Sequence, residues 1–164
     1  MFTAHMPFVR TDGGRAAAGF KGSTGDCVVR AIAIAAQRPY QEVYDALSHG
    51  MRTQRLTKGR KRKTSAANGV TVRRKWFKDY MAQLGFVWVP TMRIGSGCRV
   101  HLVAGELPMG RLIVSVSRHY TAVIDGVVYD NHNPQRRTRW IDRTTGRVLS
   151  ESERCVYGYW KQAS

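Results

Sequence analysis

Cys27 stands between a glycine-broken stretch (Gly19, Gly22, Gly25) and a long apolar run, Val28-Val29-Arg30-Ala31-Ile32-Ala33-Ile34. In the first turn of a helix a thiol meets unpaired backbone N–H groups and the positive end of the helix dipole, and both favour the thiolate. Far downstream, His119 opens the extended stretch His119–Ile124, Asp125-Gly126 signals a two-residue turn, and Val127-Val128-Tyr129-Asp130 returns. Such a turn sets Ile124 opposite Val127, Val123 opposite Val128 and Thr121 opposite Asp130. Side chains alternate along a strand, so His119, Thr121 and Asp130 project to one face. His119 and Asp130 are then diagonal neighbours, roughly 7–8 Å apart at Cα. A carboxylate so placed can hold one imidazole nitrogen and leave the other for a thiol, which is the logic of orienter, base and nucleophile. His132 is a rival base, and Asn131 and Asn133 are rival orienters. Asp130 also fits a turn cap in Asp130-Asn131-His132-Asn133-Pro134.

These three residues need a helix and a hairpin to hold them. The run from about Gly25 to Gln37, interrupted before its end only by Arg30, predicts a helix buried on most sides. Arg38-Pro39 ends it, and Pro39 suits the first turn of a second helix to about Ser48, with Val43, Tyr44 and Leu47 as its apolar stripe. Val72, Trp76, Tyr80 and Leu84 recur every four residues and predict a third helix, Val70 to Leu84, stopped by Gly85. Beyond Gly85 the pattern turns to strands at 86–89, 100–103, 112–116, 119–124, 127–129 and 156–160. Residues 1–25 read as irregular. Helices first and an antiparallel sheet second make an α+β chain of one domain, 1–164. The tryptophans at 76, 88, 140 and 160 read as core or groove walls.

Lys and Arg number 27 against 11 Asp and Glu, a formal charge of +16. Seven of the cations fall in Arg52–Lys63 with no acid among them, including the run Arg60, Lys61, Arg62, Lys63. This reads as a basic loop insertion at about 50–69 that meets solvent, nucleic acid or an acidic protein partner. Arg73, Arg74, Lys75 and Arg136, Arg137, Arg139, Arg143 add to the positive surface. Three widely spaced cysteines, no basic-then-apolar leader and no apolar run long enough to cross a bilayer lead to the expectation of a cytoplasmic protein with free thiols and no membrane association. Cys155 then reads as a packed thiol. Cys98 and His101 are three apart, as some zinc ligands are, but Cys27 and Cys155 lie too far off in sequence to support a metal site. Nothing in the pattern requires a cofactor.

The cysteine at a buried helix start, the histidine hairpin and the following aspartate, over about residues 19–37 and 110–134, resemble the papain-like cysteine peptidase superfamily, closest in style to its compact bacterial and phage members such as the bacteriocin-processing peptidases. The resemblance implies a papain-like fold with a central buried helix packed on the C-terminal sheet. It implies Cys27 as nucleophile, His119 as general base and acid, and Asp130 as orienter, cleaving an amide or isopeptide bond of a protein or peptide substrate through an acyl-enzyme. An acyltransferase of the same clan would use the same residues. The chain departs from the superfamily at the oxyanion-binding glutamine six residues before the cysteine, where Lys21 stands. The Cys27 N–H with Lys21 or Ser23 is the expected replacement. That departure also leaves open a reading of a different class: a non-catalytic nucleic-acid-binding protein on a papain-like scaffold.

Overall fold

The computed structural model describes residues 4–22, 24–67 and 69–164. Its chain order is β1 (Phe8–Arg10), α1 (Cys27–Ala36), α2 (Tyr40–Thr53), α3 (Lys75–Gln83), β2 (Phe86–Pro90), β3 (Val100–His101), β4 (Arg111–Val116), β5 (His119–Ile124), β6 (Val127–Asp130), β7 (Arg137–Ile141), β8 (Val148–Glu153) and β9 (Cys155–Gln162). The fold is α+β, with three helices and a mixed sheet among the described residues.

The main sheet runs β1-β6-β5-β4-β9-β2, with β3 on β9. Its central strands are buried on both faces, which explains their nearly continuous apolar sequence. Ile113 and Ala122 join Trp160 and the helices in one core, while Leu112, Val114, Val123, Val128 and Val156 form a second beneath the other face. Alternation along each strand sorts neighbouring residues into the two cores. α1 lies in the first, with Val29, Ile32 and Ala35 fully enclosed. It ends at Gln37, which takes a left-handed conformation (φ 54°) and turns its N–H back to Ala33 and Ile34. Pro39 lies just outside α2, as its extended N-terminal cap. In α2, Gly50 makes room for the Trp76 ring, since a Cβ there would overlap the indole.

Several expectations are corrected. The sheet is not wholly antiparallel, because β1 pairs in parallel with β6, Phe8 beside Val128 and Arg10 beside Asp130. That strand falls within residues whose sequence reads as irregular. Only three residues long, it is held from afar: the Gln135 amide accepts from Met6 N (2.6 Å) and donates to Met6 O (2.9 Å). α2 runs on to Thr53, so the basic insertion begins later, and α3 starts at Lys75 because Thr71–Arg74 form a turn instead. A two-stranded ribbon, β7 with β8, is an element the strand pattern does not announce. Its residues are almost all exposed, and Trp140, at 65 % exposure, is no core residue. Cys98 and Cys155 are not free thiols but a disulfide, Cα–Cα 5.8 Å, joining the loop after β2 to the start of β9. This removes Cys98 as a zinc ligand, and His101 instead sets Nδ1 3.1 Å from Glu106. No described helix is long and apolar enough to cross a membrane.

Candidate active site

The β5–β6 hairpin has the register expected from its turn: Ile124 pairs with Val127 and Val123 with Val128. Asp125 (φ 48°) and Gly126 (φ 75°) both take the left-handed backbone that a two-residue hairpin demands, tolerable for aspartate and free for glycine. The hairpin brings His119 Nε2 to 2.6 Å from Asp130 Oδ2. Asp130 leaves Nδ1 of the same ring open, and Cys27, the first residue of α1, lies near enough for its thiol and the imidazole to shift each other's titration. Cys27 is the free cysteine among the described residues and is half-buried. Asp130 also caps its own turn, Oδ1 accepting from Asn131 N at 2.7 Å.

The rivals are disposed otherwise. Asn131 Oδ1 accepts from Arg30 Nη2 (3.4 Å) and faces His132 Nδ1 (2.6 Å). Asn133 Oδ1 accepts from Gln135 N (3.0 Å). His132 is exposed, its ring 4.9 Å from that of His119. Lys21 is exposed, and what the structure fixes there is its carbonyl, which accepts from Arg15 Nη2 at 3.0 Å. Ser23 lies outside the described residues. Arg60, Lys61, Arg62 and Lys63 are exposed on the loop after α2, where Arg62 Nη1 donates to the carbonyls of Arg52 and Gln54 (2.9 Å to Gln54).

Electrostatics couple the three residues. Burial alone pushes the Cys27 thiol up. The hydrogen bond from His119, the backbone N–H of Tyr120 and the charges of His119 and Arg30 outweigh it, so the thiol titrates below its ordinary value. Burial pushes His119 down, but its bonds to Asp130 and Cys27 and their negative charges raise it to about 9. Asp130, pushed up by burial, is pulled below the usual carboxylate range by the hydrogen bond and charge of His119. At neutral pH His119 is therefore an imidazolium, its charge favours the thiolate form of Cys27, and the two groups titrate as a unit. His132 is driven the other way. Burial lowers it, and the charges of His119, Arg30 and Arg154 prevail over that of Asp130.

Sequence reasoning missed the support beneath the nucleophile. Asp26, immediately before Cys27, is fully buried and gathers Arg30 Nη1, Arg15 Nε (3.1 Å) and the Tyr40 hydroxyl (2.5 Å). Arg15 also donates to Gly22 O (2.6 Å), pinning the glycine loop ahead of α1. Arg30 continues toward Asp130 Oδ1 at 3.9 Å. One buried chain of charges thus ties the loop, the start of α1 and the end of β6 together. Removing one member leaves a charge unpaired in the interior, at about 3–5 kcal/mol. The Asp26–Arg30 spacing of four residues was a readable signal, whereas Arg15 and Tyr40 gave none.

Two hollows flank the site. A groove of about 700 Å³ is walled mainly by Phe86, Trp88, Tyr120, Tyr157 and Trp160, with Arg73 and Lys78 also lining it. Tyr120 links it to the thiol, because its backbone N–H helps lower the Cys27 thiol's titration. The second hollow, about 490 Å³, is lined by Ser117, Arg118, His119, His132, Arg136 and Arg154.

No protein-family model matches the chain, and no curated protein or solved structure matches it either.

Proposed function

We propose that this protein is a papain-like cysteine hydrolase that cleaves an amide or isopeptide bond through Cys27, His119 and Asp130. The observation that carries the reading is the convergence, from a helix start and a hairpin far apart in sequence, of a thiol with lowered pKa on an imidazole held by a carboxylate at 2.6 Å. The Cys27 thiolate attacks the carbonyl carbon. The oxyanion that forms takes the Cys27 backbone N–H, which as the first residue of α1 has no intrahelical partner. As the C–N bond breaks, His119 gives its Nδ1 proton to the leaving amine, and a thioester remains on Cys27. His119 then takes a proton from water, which attacks the thioester and releases the acid and the thiolate. Asp130 keeps Nε2–H engaged throughout and stabilises the imidazolium. An amine in place of water would make the same site an acyltransferase. The exposed run Arg60–Lys63, whose sequence contains no acidic residue, supports recognition of nucleic acid or an acidic protein as an additional property.

The test is the identity and pH dependence of the reactive thiol. Iodoacetamide at neutral pH should label Cys27 rapidly in the intact protein, and mass mapping should find Cys98 and Cys155 protected by their disulfide. The labelling rate should rise across an acidic limb well below pH 8.5, the ordinary thiol range. Activity should then fall as pH passes about 9, where His119 loses its proton. A Cys27 that reacts only as an ordinary thiol, above pH 8, would overturn the proposal.

A further inference from the structure

The hollow that His119 lines concentrates positive charge. Arg118, Arg136 and Arg154 line it with the two histidines, and its walls contain no acid. Among the described residues no carboxylate forms an ion pair with any of the three arginines. Arg154 is half-buried and fixed as a frame: Nη1 donates to Pro134 O (2.9 Å) and Nη2 to Ser117 O (2.7 Å). Burial, then the charge of Arg136, makes its proton easier to lose than an ordinary guanidinium's. His132 is lowered by burial first, with the charges of His119, Arg30 and Arg154 adding to it. A built concavity of this size, lined by three arginines that form no ion pair among the described residues, fits a small anion.

His119 fixes which part of a substrate reaches that hollow. The ring that lines it is the ring that must protonate the leaving nitrogen, so groups placed there belong to the amine half of the scissile bond. We infer that the Arg118–Arg136–Arg154 hollow binds a carboxylate carried by the amine half of the substrate, making the enzyme selective for leaving groups with a negative charge close to the bond cut. The inference rests on the proposed thiol chemistry and names its substrate class. The carboxylate is either a free chain end or an acidic side chain.

Paired alkylation tests it on the intact protein. Iodoacetate carries the carboxylate and iodoacetamide does not, and both report on Cys27. The double variant Arg118→Ser, Arg136→Ser should lower the iodoacetate-to-iodoacetamide rate ratio several-fold, because two unit charges that attract the carboxylate are removed. Arg118→Lys, Arg136→Lys should restore it, which a merely structural role would not require. Comparing variants cancels the attraction of the imidazolium itself. A ratio unchanged in the double serine variant, with Cys27 still reactive, overturns the anion site and leaves the thiol chemistry standing. A Cys27 inert to both reagents overturns both. Protection of Cys27 from iodoacetamide then separates the sources, using N-acetyl tetra-alanine as the free acid, as the C-terminal amide, and as the amide with glutamate in the last position. Protection by the free acid alone assigns a chain-end carboxylate, and protection by the glutamate amide as well assigns an acidic side chain. Equal protection by the neutral amide, or none by any of the three, overturns the inference.

Discussion

The two flanks of the Cys27–His119 pair are built on opposite principles. On one side, Trp88, Tyr120, Tyr157 and Trp160 present rings whose positions are fixed by packing: Trp88 lies 5.3 Å from Trp160 and against Gly158, where a Cβ would overlap the indole. On the other side, Arg118 and Arg136 pair with no carboxylate among the described residues, and Arg154 is spent on two backbone carbonyls. The aromatic flank offers packed apolar area. The cationic flank is electrostatically incomplete and offers charge. On the proposed chemistry, the aromatic flank would select by shape and the cationic flank by sign of charge.

The sharpest cut is at that histidine. His119→Ala should lower turnover by about 10³-fold or more, silencing both flanks together, because the base and the acid are lost at once. Asp130→Asn should cost less, about ten- to a hundredfold, since asparagine still orients the ring. It should also move the basic limb of the pH profile down from about 9, because the carboxylate's bond and charge help hold His119 that high. Steady-state kinetics across pH separates the two variants. If Asn131→Ala or His132→Ala abolishes activity while Asp130→Ala does nothing, the orienter is misassigned.

The aromatic flank should yield a smaller and more selective effect. Trp88→Ala, at a residue 38 % exposed, should raise KM for peptides with a large apolar residue near the bond by roughly tenfold and leave kcat for small ones nearly unchanged. An equal effect on all peptides would break the division of labour between the flanks.

The smallest effect belongs to the basic loop. Replacing Arg60, Lys61, Arg62 and Lys63 with serine should weaken binding of nucleic acid or an acidic protein about equally across sequences. For duplex DNA it should flatten the salt dependence by about 0.9 in slope for each phosphate that the loop no longer neutralises. Filter binding or anisotropy over a salt series reads it. Flat salt dependence before and after substitution would assign the loop to solvent alone.

The hairpin and the nucleophile's helix are legible in the sequence because their signals are local. Asp125-Gly126 admits few backbone conformations, and with the period of two it places Asp130 on the face of His119. The run after Cys27 is too apolar to be anything but buried. The third helix is shorter than its period suggests, because Val72 matches the helical spacing while Thr71–Arg74 turn before it. The exposed ribbon, with Trp140 in solvent, defeats the rule that large apolar residues lie inside, which runs only one way.

What the sequence by itself determined is therefore the set of elements whose geometry follows from short-range periods and turn chemistry: α1, the β4–β5–β6 meander and the shared face of His119 and Asp130. Only the tertiary structure decided that Cys98 meets Cys155 across 57 residues of chain, that β1 closes the sheet in parallel, that Arg15, Arg30 and Tyr40 converge on Asp26, and that three arginines surround one hollow. The physical reason is the same in each case. Joining residues far apart costs loop-closure entropy, which grows only with the logarithm of their separation and so selects no partner. The choice falls to packing of the whole chain, where burying a charge such as Asp26 demands opposite charges from wherever the fold can supply them.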